Sequence, residues 1–471
     1  MGSTVFDRNA PHPGLVADSL AGSRLHPFWL EGLDSPTFPR FSGRGVYDLV
    51  VVGGGYTGLW TALQAKQRDP GRRVALVEGK TIGWAASGRN GGFVEASLTH
   101  GESNGSTRFP GELEQLDRLG MENLDEIEAT VAELGWDCDF QRTGSLAVAT
   151  EEYQVEELRA AHDGVTEYFF EGAEIRAELG SPTYLAGLWS TRATALVHPG
   201  KLARELALAC AAAGVELFEK SPVTGLGETL EGMELRTPHG TLAGRRVALA
   251  TNAFPSLLRR FRLHTVPVYD YVLMTEPLSA EQLESIGWEN RQGVADLGNQ
   301  FHYYRLSADN RILWGGYDAI YHYGGRIRTS YEDRTASFER LAAHFFTTFP
   351  QLAGLRFTNR WAGVIDTSTR FCAFFAQAHG GRVSYAAGFT GLGVAATRFA
   401  ANVMLDQLAG ERTERTELDM VSSIPLPFPP EPAAYLGVQA TRWALDRADH
   451  NDGRRNLLLR TLDAVGLGFD S

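Results

Sequence analysis

The stretch Tyr47-Asp-Leu-Val-Val-Val-Gly-Gly-Gly-Tyr-Thr-Gly58 decides the fold of this 471-residue chain. It opens with a short β-branched, apolar run, which predicts a buried parallel strand, and it closes with the pattern GxGxxG. A helix-compatible segment continues from Gly58 to Arg68, and a second apolar strand, Arg73 to Val77, ends at Glu78. Because strand, glycine turn, helix, strand and acid follow at the spacing of a βαβ unit, the stretch predicts a Rossmann-type dinucleotide site.

Each position of this motif has a physical role in holding a dinucleotide. Gly53 permits the tight turn, Gly55 lets the backbone approach the pyrophosphate, and Gly58 lets helix and strand pack closely. The helix N-terminus faces the diphosphate, and Glu78 would accept hydrogen bonds from the adenosine ribose. The residues expected to contact the ligand are Gly53, Gly55, Tyr56, Thr57, Gly58, Glu78 and Gly79. The motif alone does not separate NAD from FAD, and a glycine turn in an ordinary βαβ unit is the alternative.

A glycine-rich loop, Gly83-Trp-Ala-Ala-Ser-Gly-Arg-Asn-Gly-Gly92, comes next and allows the backbone to approach a flat ligand. Further segments follow in order: Arg142-Thr-Gly-Ser-Leu146, His198-Pro-Gly-Lys-Leu202, Ala248-Leu-Ala-Thr-Asn-Ala253, Tyr303-Tyr-Arg-Leu-Ser-Ala-Asp-Asn-Arg311 and Gly388-Phe-Thr-Gly-Leu-Gly-Val394. On these segments the chain, from residue 25 to about 410, resembles the FAD-dependent family of D-amino-acid oxidase, glycine oxidase and sarcosine oxidase. The likeness is closest to the γ-glutamylputrescine oxidoreductase branch, and it implies FAD rather than NAD.

The resemblance also implies which residues hold the flavin. They are Ala86, Ser87, Gly88, Arg89, Asn90, Gly91 and Gly92 in the glycine-rich loop, then Val223, Thr251 and Asn252, and finally Gly388, Thr390, Gly391, Leu392 and Gly393. The last group would set a positive helix end beside the pyrimidine edge of the flavin. A pure turn role for Asn90 and a plain strand role for Val223 are the alternatives.

Two departures from the family pattern bear on the flavin. This chain has Leu392 where the family usually has a histidine between two glycines, so the resemblance implies that any role of that imidazole is lost. Some sarcosine oxidases attach the flavin to a cysteine in the segment that matches Trp361 to Ile365, which has none here. We therefore expect noncovalent FAD.

The substrate side is predicted from the same family. An arginine on the matching hairpin strand pairs with the substrate carboxylate in glycine and D-amino-acid oxidases, and Arg305 falls there. Tyr271, Tyr304 and Trp361 are expected to wall the flavin face and cradle an ammonium group. A salt-bridged strand residue is the alternative for Arg305, and core packing is the alternative for the three aromatics. His198, before a proline at a helix start, is expected to have a capping or packing role, with a catalytic base as the alternative.

The resemblance implies oxidation of a CH–NH bond by hydride transfer to flavin, hydrolysis of the imine, and flavin reoxidation by dioxygen or another acceptor. Three substrate classes stay open: a free or acylated polyamine, an amino acid or N-alkyl amino acid bound through Arg305, and an aminophosphonate. Two other functions also stay open, a flavoprotein subunit that depends on a partner and an NAD-dependent dehydrogenase. Dioxygen, giving hydrogen peroxide, is the expected acceptor.

The order of the segments predicts an α/β plus antiparallel β architecture, with a Rossmann-type FAD-binding domain interleaved with an antiparallel-sheet substrate domain. Residues 47–134, 190–260 and 358–412 are assigned to the first domain, and residues 135–189 and 261–357 to the second. Residues 1–46 are expected to form an irregular arm. Residues 413–471 are expected to form a proline-rich link and C-terminal helices that pack on the body rather than on a membrane surface.

Composition limits the class of protein further. A formal net charge of −13 disfavours nucleic acid and anionic membranes as partners. The three cysteines, Cys138, Cys210 and Cys372, lie far apart, so no disulfide framework or metal site is predicted. With no signal-like or spanning segment in this sequence, a cytoplasmic location is expected.

Overall fold

The GxGxxG motif follows the central strand of a mainly parallel sheet in the computed structural model, which describes residues 2–464 and 466–468. The strands are β1 (Arg24–Leu25), β2 (Gly43–Val52), β3 (Val74–Val77), β4 (Phe93–Glu95), β5 (Ser145–Ala149), β6 (Glu167–Glu171), β7 (Ala186–Ser190), β8 (Thr194–Leu196), β9 (Glu216–Phe218), β10 (Gly225–Glu228), β11 (Met233–Thr237), β12 (Gly240–Leu249), β13 (Thr265–Thr275), β14 (Gly293–Asp296), β15 (His302–Leu306), β16 (Ile312–Gly316), β17 (Ile320–Tyr321), β18 (Phe357–Ser368), β19 (Phe374–Ala378) and β20 (Val383–Ala387). The helices are α1 (Val5–Arg8), α2 (Pro13–Leu20), α3 (Tyr56–Arg68), α4 (Glu102–Arg108), α5 (Leu113–Glu133), α6 (Glu152–Ala161), α7 (Ala173–Glu178), α8 (Pro199–Ala212), α9 (Ala280–Ile286), α10 (Thr335–Thr348), α11 (Gly393–Ala409), α12 (Glu414–Glu417), α13 (Asp419–Ser422), α14 (Ala433–Asp449) and α15 (Leu457–Ala464).

The first sheet has the strand order β10-β11-β12-β2-β3-β9, and β20 joins it beside the end of β12. Its central strands run parallel, with Val50 opposite Ala75 on one side and Val247 on the other. Val50 is fully buried, because helices pack on the face that carries Leu49 and Val51, and Val50 itself packs on the other face with Leu235 and Tyr385. All central strands therefore end at one edge, where the glycine turn lies.

The second sheet is mostly antiparallel, with the order β1-β18-β13-β16-β15-β14-β5-β7-β6. One of its faces packs on α10 through Phe338 and Phe345 and on Phe349 directly after this helix, and all three are almost fully buried. The opposite face looks toward the first sheet and lines the cavity described below. The expectation of two interleaved sheets, one mainly parallel and one mainly antiparallel, is confirmed.

Two boundary predictions need correction. Residues 358–368 were assigned to the FAD-binding domain, but β18 pairs along its length with β13 in the antiparallel sheet. The arm before residue 47 is not irregular, since it holds α1, α2 and β1 and pairs with β18 at Arg24. Its Phe6 ring also stacks on His344 at 4.3 Å, so the arm is part of the folded body.

The C-terminal segment contacts the folded body, in part beside the antiparallel sheet. Glu431 accepts hydrogen bonds from the Tyr321 hydroxyl and from the Gly324 amide. Asp449, at the end of α14, accepts from the amides of Asn299 and Gln300. Among the described residues, no helix combines the length and apolar character needed to cross a bilayer.

Candidate active site

A cavity of about 1160 Å³ runs between the two sheets. It begins at the glycine turn after β2, passes the glycine-rich loop and the return loop before α11, and ends against α14. Ordinary small-molecule pockets measure about 300–1,000 Å³. The cavity therefore has room for a dinucleotide and a further small molecule.

The glycine turn is shaped by close backbone contacts. Gly53 has φ +114°, and a Cβ built there would lie 2.3 Å from the Ala250 carbonyl oxygen. A Cβ built on Gly58 would lie 1.9 Å from the Gly53 carbonyl oxygen, so α3 can approach β2 only with glycine at this position. Gly58 does not line the cavity, and its contribution is this packing. Gly53, Gly55, Tyr56 and Thr57 do line it.

Glu78 stands at the end of β3 with its carboxylate already oriented. It accepts hydrogen bonds from the Gly54 and Lys80 amides, each at 2.7 Å, and from the Trp84 indole at 3.0 Å. Its Oε1 accepts two of these hydrogen bonds and its Oε2 one. Both Glu78 and Gly79 line the cavity, where the prediction places the ribose.

The glycine-rich loop divides into lining residues and packing residues. The lining residues are Trp84, Ala85, Ala86, Ser87, Arg89, Asn90 and Gly91. Gly88 and Gly92 lie behind them, where a Cβ would strike the carbonyl oxygens of Gly83 and Val197.

Two side chains hold this loop in shape. Asn90 donates to the Ala86 and Ser87 carbonyls and accepts from the Gly92 amide, so it forms the turn, although it also borders the cavity. Arg89 pairs with Glu332 at 2.6 Å and donates to the Ala362 carbonyl at 3.0 Å, which joins the loop to β18.

The return loop reaches the cavity at the start of α11. Thr390, Gly391, Leu392 and Gly393 line it, while Gly388 lies behind them, with its amide donating to Asp366 at 2.6 Å. Burial raises the pKa of Asp366 to about 7.

An imidazole stands beside this loop after all, because His100 lines the cavity with its Nε2 4.0 Å from a Cβ built on Gly391. Desolvation lowers the pKa of His100.

Two buried polar atoms in the cavity wall have no hydrogen-bond partner among the described residues. They are the Thr251 hydroxyl and the Asn252 side-chain carbonyl, both after β12. Such atoms are costly unless something binds them. Together with Val223, which also lines the cavity, they fit a polar ligand that occupies the cavity beside the glycine turn.

The antiparallel sheet contributes an acidic group beside the glycine-rich loop. The Tyr303 hydroxyl donates to the Asp270 carboxylate, and both side chains line the cavity. The Tyr303 ring meets Phe93 edge-on at 5.9 Å, which places this pair next to Gly91. Burial raises the pKa of Asp270 to about 7, and it also raises the pKa of Glu95, a second cavity carboxyl on β4.

Sequence comparison with known families gives one match that covers most of the chain. Residues 48–407 match the family described as FAD dependent oxidoreductase, DAO. The chain belongs to this family. It is therefore an FAD-dependent oxidoreductase. The GxGxxG turn, the oriented Glu78 and the unpartnered Thr251 and Asn252 atoms fit the hydrogen-bonding groups of FAD.

Relatives of this DAO-family chain include two curated bacterial proteins. It is 30% identical to the gamma-glutamylputrescine oxidoreductase of Escherichia coli, over 81% of this chain and 88% of that protein. It is 29% identical to the probable oxidoreductase OrdL of Haemophilus influenzae, over 79% of this chain and 85% of that protein. The glycine oxidase structure from Geobacillus kaustophilus superposes with a TM-score of 0.67 and 21% identity, covering 81% of this chain and all of that one, which shows a shared fold.

The prediction for Arg305 has to be corrected. Its side chain is 3% exposed and does not line the cavity. The guanidinium donates to the carbonyls of Val197 and Gly92, and it lies over the Trp29 ring at 5.7 Å. Burial lowers its pKa to about 9. The guanidinium that was expected to bind a substrate carboxylate donates its hydrogen bonds to backbone carbonyls instead.

The three aromatic residues predicted for the flavin face lie elsewhere as well. Tyr271 and Tyr304 point to the opposite face of the sheet, into the core against α10. Trp361 packs with Trp29 and donates to the Arg89 carbonyl at 2.9 Å. Because side chains alternate along a strand, the residues that do line the cavity are the neighbours of the two tyrosines, Asp270 and Tyr303.

Replacing Glu78 with alanine is expected to weaken FAD binding about 10- to 100-fold, because charged hydrogen bonds to the ribose would be lost. FAD occupancy after dialysis measures this. Glu234→Ala, a carboxylate removed from β11 in the same sheet, is the matched control. Equal occupancy in both variants would contradict the ribose contact.

Replacing Arg305 with methionine is expected to lower the free energy of unfolding by about 3 kcal/mol, since two buried carbonyls lose a charged donor. The KM for any amine substrate should stay within about twofold of the wild-type value, because Arg305 does not line the cavity and the loss of a hydrogen bond mainly affects the groups that form it. Thermal unfolding and steady-state kinetics measure the two effects. A raised KM with unchanged stability would return Arg305 to the substrate site.

His198 was expected to cap a helix, and its Nδ1 accepts from the Lys201 amide at the start of α8. Sequence reasoning missed Glu95, His100, Asp270 and Tyr303. One signal was available for Asp270, which interrupts the apolar run Val266 to Met274 with a lone acid.

Proposed function

We propose that this enzyme oxidises a CH–NH bond of a small cationic amine of the polyamine type. Asp270 is the observation that supports this most. It is a cavity carboxylate beside the flavin loop, and it accepts from Tyr303 but has no cationic partner among the described residues. A bound ammonium group would provide that cation.

The charges near the glycine-rich loop favour an amine over an α-amino acid. An α-amino acid places a carboxylate next to the reacting carbon, and this needs a cation there. Arg89, a cation of this loop, is paired with Glu332, and Arg305 is committed to backbone carbonyls. Lys80 lies over the Trp84 ring on the side of the loop near Glu78. Ionised Asp270 would repel the carboxylate further. The similarity to an oxidoreductase named for gamma-glutamylputrescine supports the same choice.

The chain's own groups have defined tasks in this reaction. FAD, when bound, supplies the two-electron oxidising power. Asp270 would hold the substrate ammonium by charge and hydrogen bonding, and Tyr303 would fix the carboxylate in place. With a pKa near 7, Asp270 can also take the proton that the ammonium must lose before oxidation.

The overall reaction balances without a metal. The substrate carbon loses a hydride and its nitrogen loses a proton, giving an imine. Water then hydrolyses the imine to a carbonyl compound and an amine or ammonia. We propose dioxygen as the acceptor of the two electrons, with hydrogen peroxide as product.

Anaerobic reduction of the purified yellow protein tests this function. Diamines, acylated diamines, amino acids and aminophosphonates would each be mixed with it, and the loss of flavin absorbance followed. Fast bleaching by amines without an α-carboxylate supports the proposal. Bleaching by α-amino acids alone would replace it, and a protein that nothing bleaches would indicate dependence on a partner.

A further inference from the structure

The far end of the cavity is closed by the C-terminal segment, which lies outside the matched family region of residues 48–407. Helix α14 presents one face to the cavity, with residues spaced three and four apart. The residues on that face are Ala434, Gly437, Val438, Thr441, Arg442 and Leu445. Except for Arg442, the residues on this face are small or have uncharged side chains.

Three polar contacts fix the helix in this position. Glu431 binds the Tyr321 hydroxyl at its start, Gln439 donates to the Tyr321 carbonyl at its middle, and Asp449 binds the Asn299 and Gln300 amides at its end. The position of Arg442 is therefore set by the folded body and not by the helix alone.

Arg442 lies in a local excess of positive charge. Its guanidinium is 3.5 Å from Asp318, but that carboxylate is already bound by Arg340 at 2.7 Å and by Arg334 at 2.9 Å. Ser337 donates to the same carboxylate at 2.6 Å. One aspartate thus faces three arginines, and Arg442 is the most distant of them.

A second cavity of about 470 Å³ adjoins the first at Arg442. Arg326 and Arg334 also line it, together with several tyrosines. The Nε2 of His322 is buried in its wall without a hydrogen-bond partner among the described residues. Glu431, the nearby acid, is bound to Tyr321 and to two backbone amides. Even with Glu431 counted, arginines outnumber acids here.

The two ends of the substrate space therefore differ in charge, with Asp270 by the flavin loop and Arg442 at the far end. We infer that Arg442 binds a carboxylate at the far end of the amine substrate, so that the preferred substrates are amines with a remote carboxylate. This inference rests on the proposed amine oxidation, and it adds that the substrate carries a second, negative charge far from the reacting amine. A guanidinium fork suits a carboxylate through two parallel hydrogen bonds.

A matched pair of substrates tests it. One is a diamine acylated on one nitrogen by a dicarboxylic acid, which leaves a free carboxylate at the far end, and the other is its methyl ester. The wild-type KM should be about 10-fold lower for the acid than for the ester. Arg442→Gln should raise the KM for the acid to that for the ester and leave kcat for both unchanged. Arg442→Lys should restore part of the preference.

Arg447→Gln is the control, because Arg447 lies on the exposed side of the same helix over Trp443. It should keep the wild-type preference. Equal KM values for acid and ester in the wild type, or an equal rise of both in Arg442→Gln, would overturn the inference. If Arg442→Gln does not retain FAD, the inference is tested by the wild-type KM values for acid and ester and by the same two values in Arg442→Lys.

Failure of the proposed function can be told apart from failure of this inference. If no amine is oxidised, calorimetric titration with glutarate still examines the anion site. Binding to the wild type and loss of binding in Arg442→Gln would keep Arg442 as an anion site, and absence of binding to the wild type would remove it.

Discussion

Replacing Asp270 with asparagine is expected to lower kcat/KM for amine oxidation about 100- to 1,000-fold, with FAD still bound. Removing one partner of a desolvated, hydrogen-bonded charge pair typically changes the free energy by about 3–4 kcal/mol. Asparagine keeps the size of the side chain and can still accept from Tyr303, so the loss isolates the negative charge. Stopped-flow reduction of the flavin and its visible spectrum measure rate and occupancy.

The pH profile gives the same prediction an independent readout. The pKa of Asp270 is raised to about 7, so its charge appears as the pH rises through that value. Binding of a cationic amine should strengthen over the same interval, and this limb should be absent in Asp270→Asn.

Tyr303→Phe is the control for Asp270. It removes the hydroxyl donor but keeps the carboxylate, and should lower kcat/KM only about 10-fold. An Asp270→Asn enzyme with wild-type kcat/KM and pH profile would show that the amine is not held there.

Replacing Gly58 with alanine is expected to abolish most FAD binding. The added Cβ would lie 1.9 Å from the Gly53 carbonyl oxygen, and this neighbour is backbone that cannot rotate away. Helix α3 must shift from β2, which moves the amides at its N-terminus off the diphosphate. We expect a loss of stability of about 3 kcal/mol or more, and a more than tenfold fall in the 450 nm to 280 nm absorbance ratio.

Gly227→Ala tests whether the effect is specific to the glycine turn. Gly227 lies on β10 of the same sheet, and a Cβ there would meet nothing within 4 Å. This variant should keep its colour and its unfolding temperature. Full FAD occupancy in Gly58→Ala would mean that the close approach of α3 to β2 is not required.

The residues of the cofactor site could be predicted from the sequence, because the pattern that defines them lies within one short segment. Gly53, Gly58 and Glu78 lie within one βαβ unit, and their spacing alone predicts the turn, the packing and the carboxylate position. The glycine-rich loop and the return loop followed from family resemblance, and all but the packing glycines line the cavity.

The residues of the substrate site could not be predicted in the same way. Which side chains of a strand point into the cavity depends on what packs against each face of the sheet. Tyr303 and Tyr304 are neighbours of the same type, and only the position of α10 sends Tyr304 into the core. Arg305 shares a strand face with Tyr303, yet Trp29 from the arm covers it. His100 and Arg442 reach the cavity from segments distant in sequence, which no spacing rule connects to it.

The buried contacts of Arg305 have a consequence for how the molecule melts. Its guanidinium, on β15, binds the backbone where β4 begins, at Gly92, and where β8 has just ended, at Val197. A shift of the cofactor loop that breaks these hydrogen bonds while the layer stays closed would leave a buried charge without a partner, which is costly. We therefore expect the two halves of the enzyme to unfold together along this seam, so that amide hydrogen exchange at Gly92 and at Arg305 should report the same opening free energy.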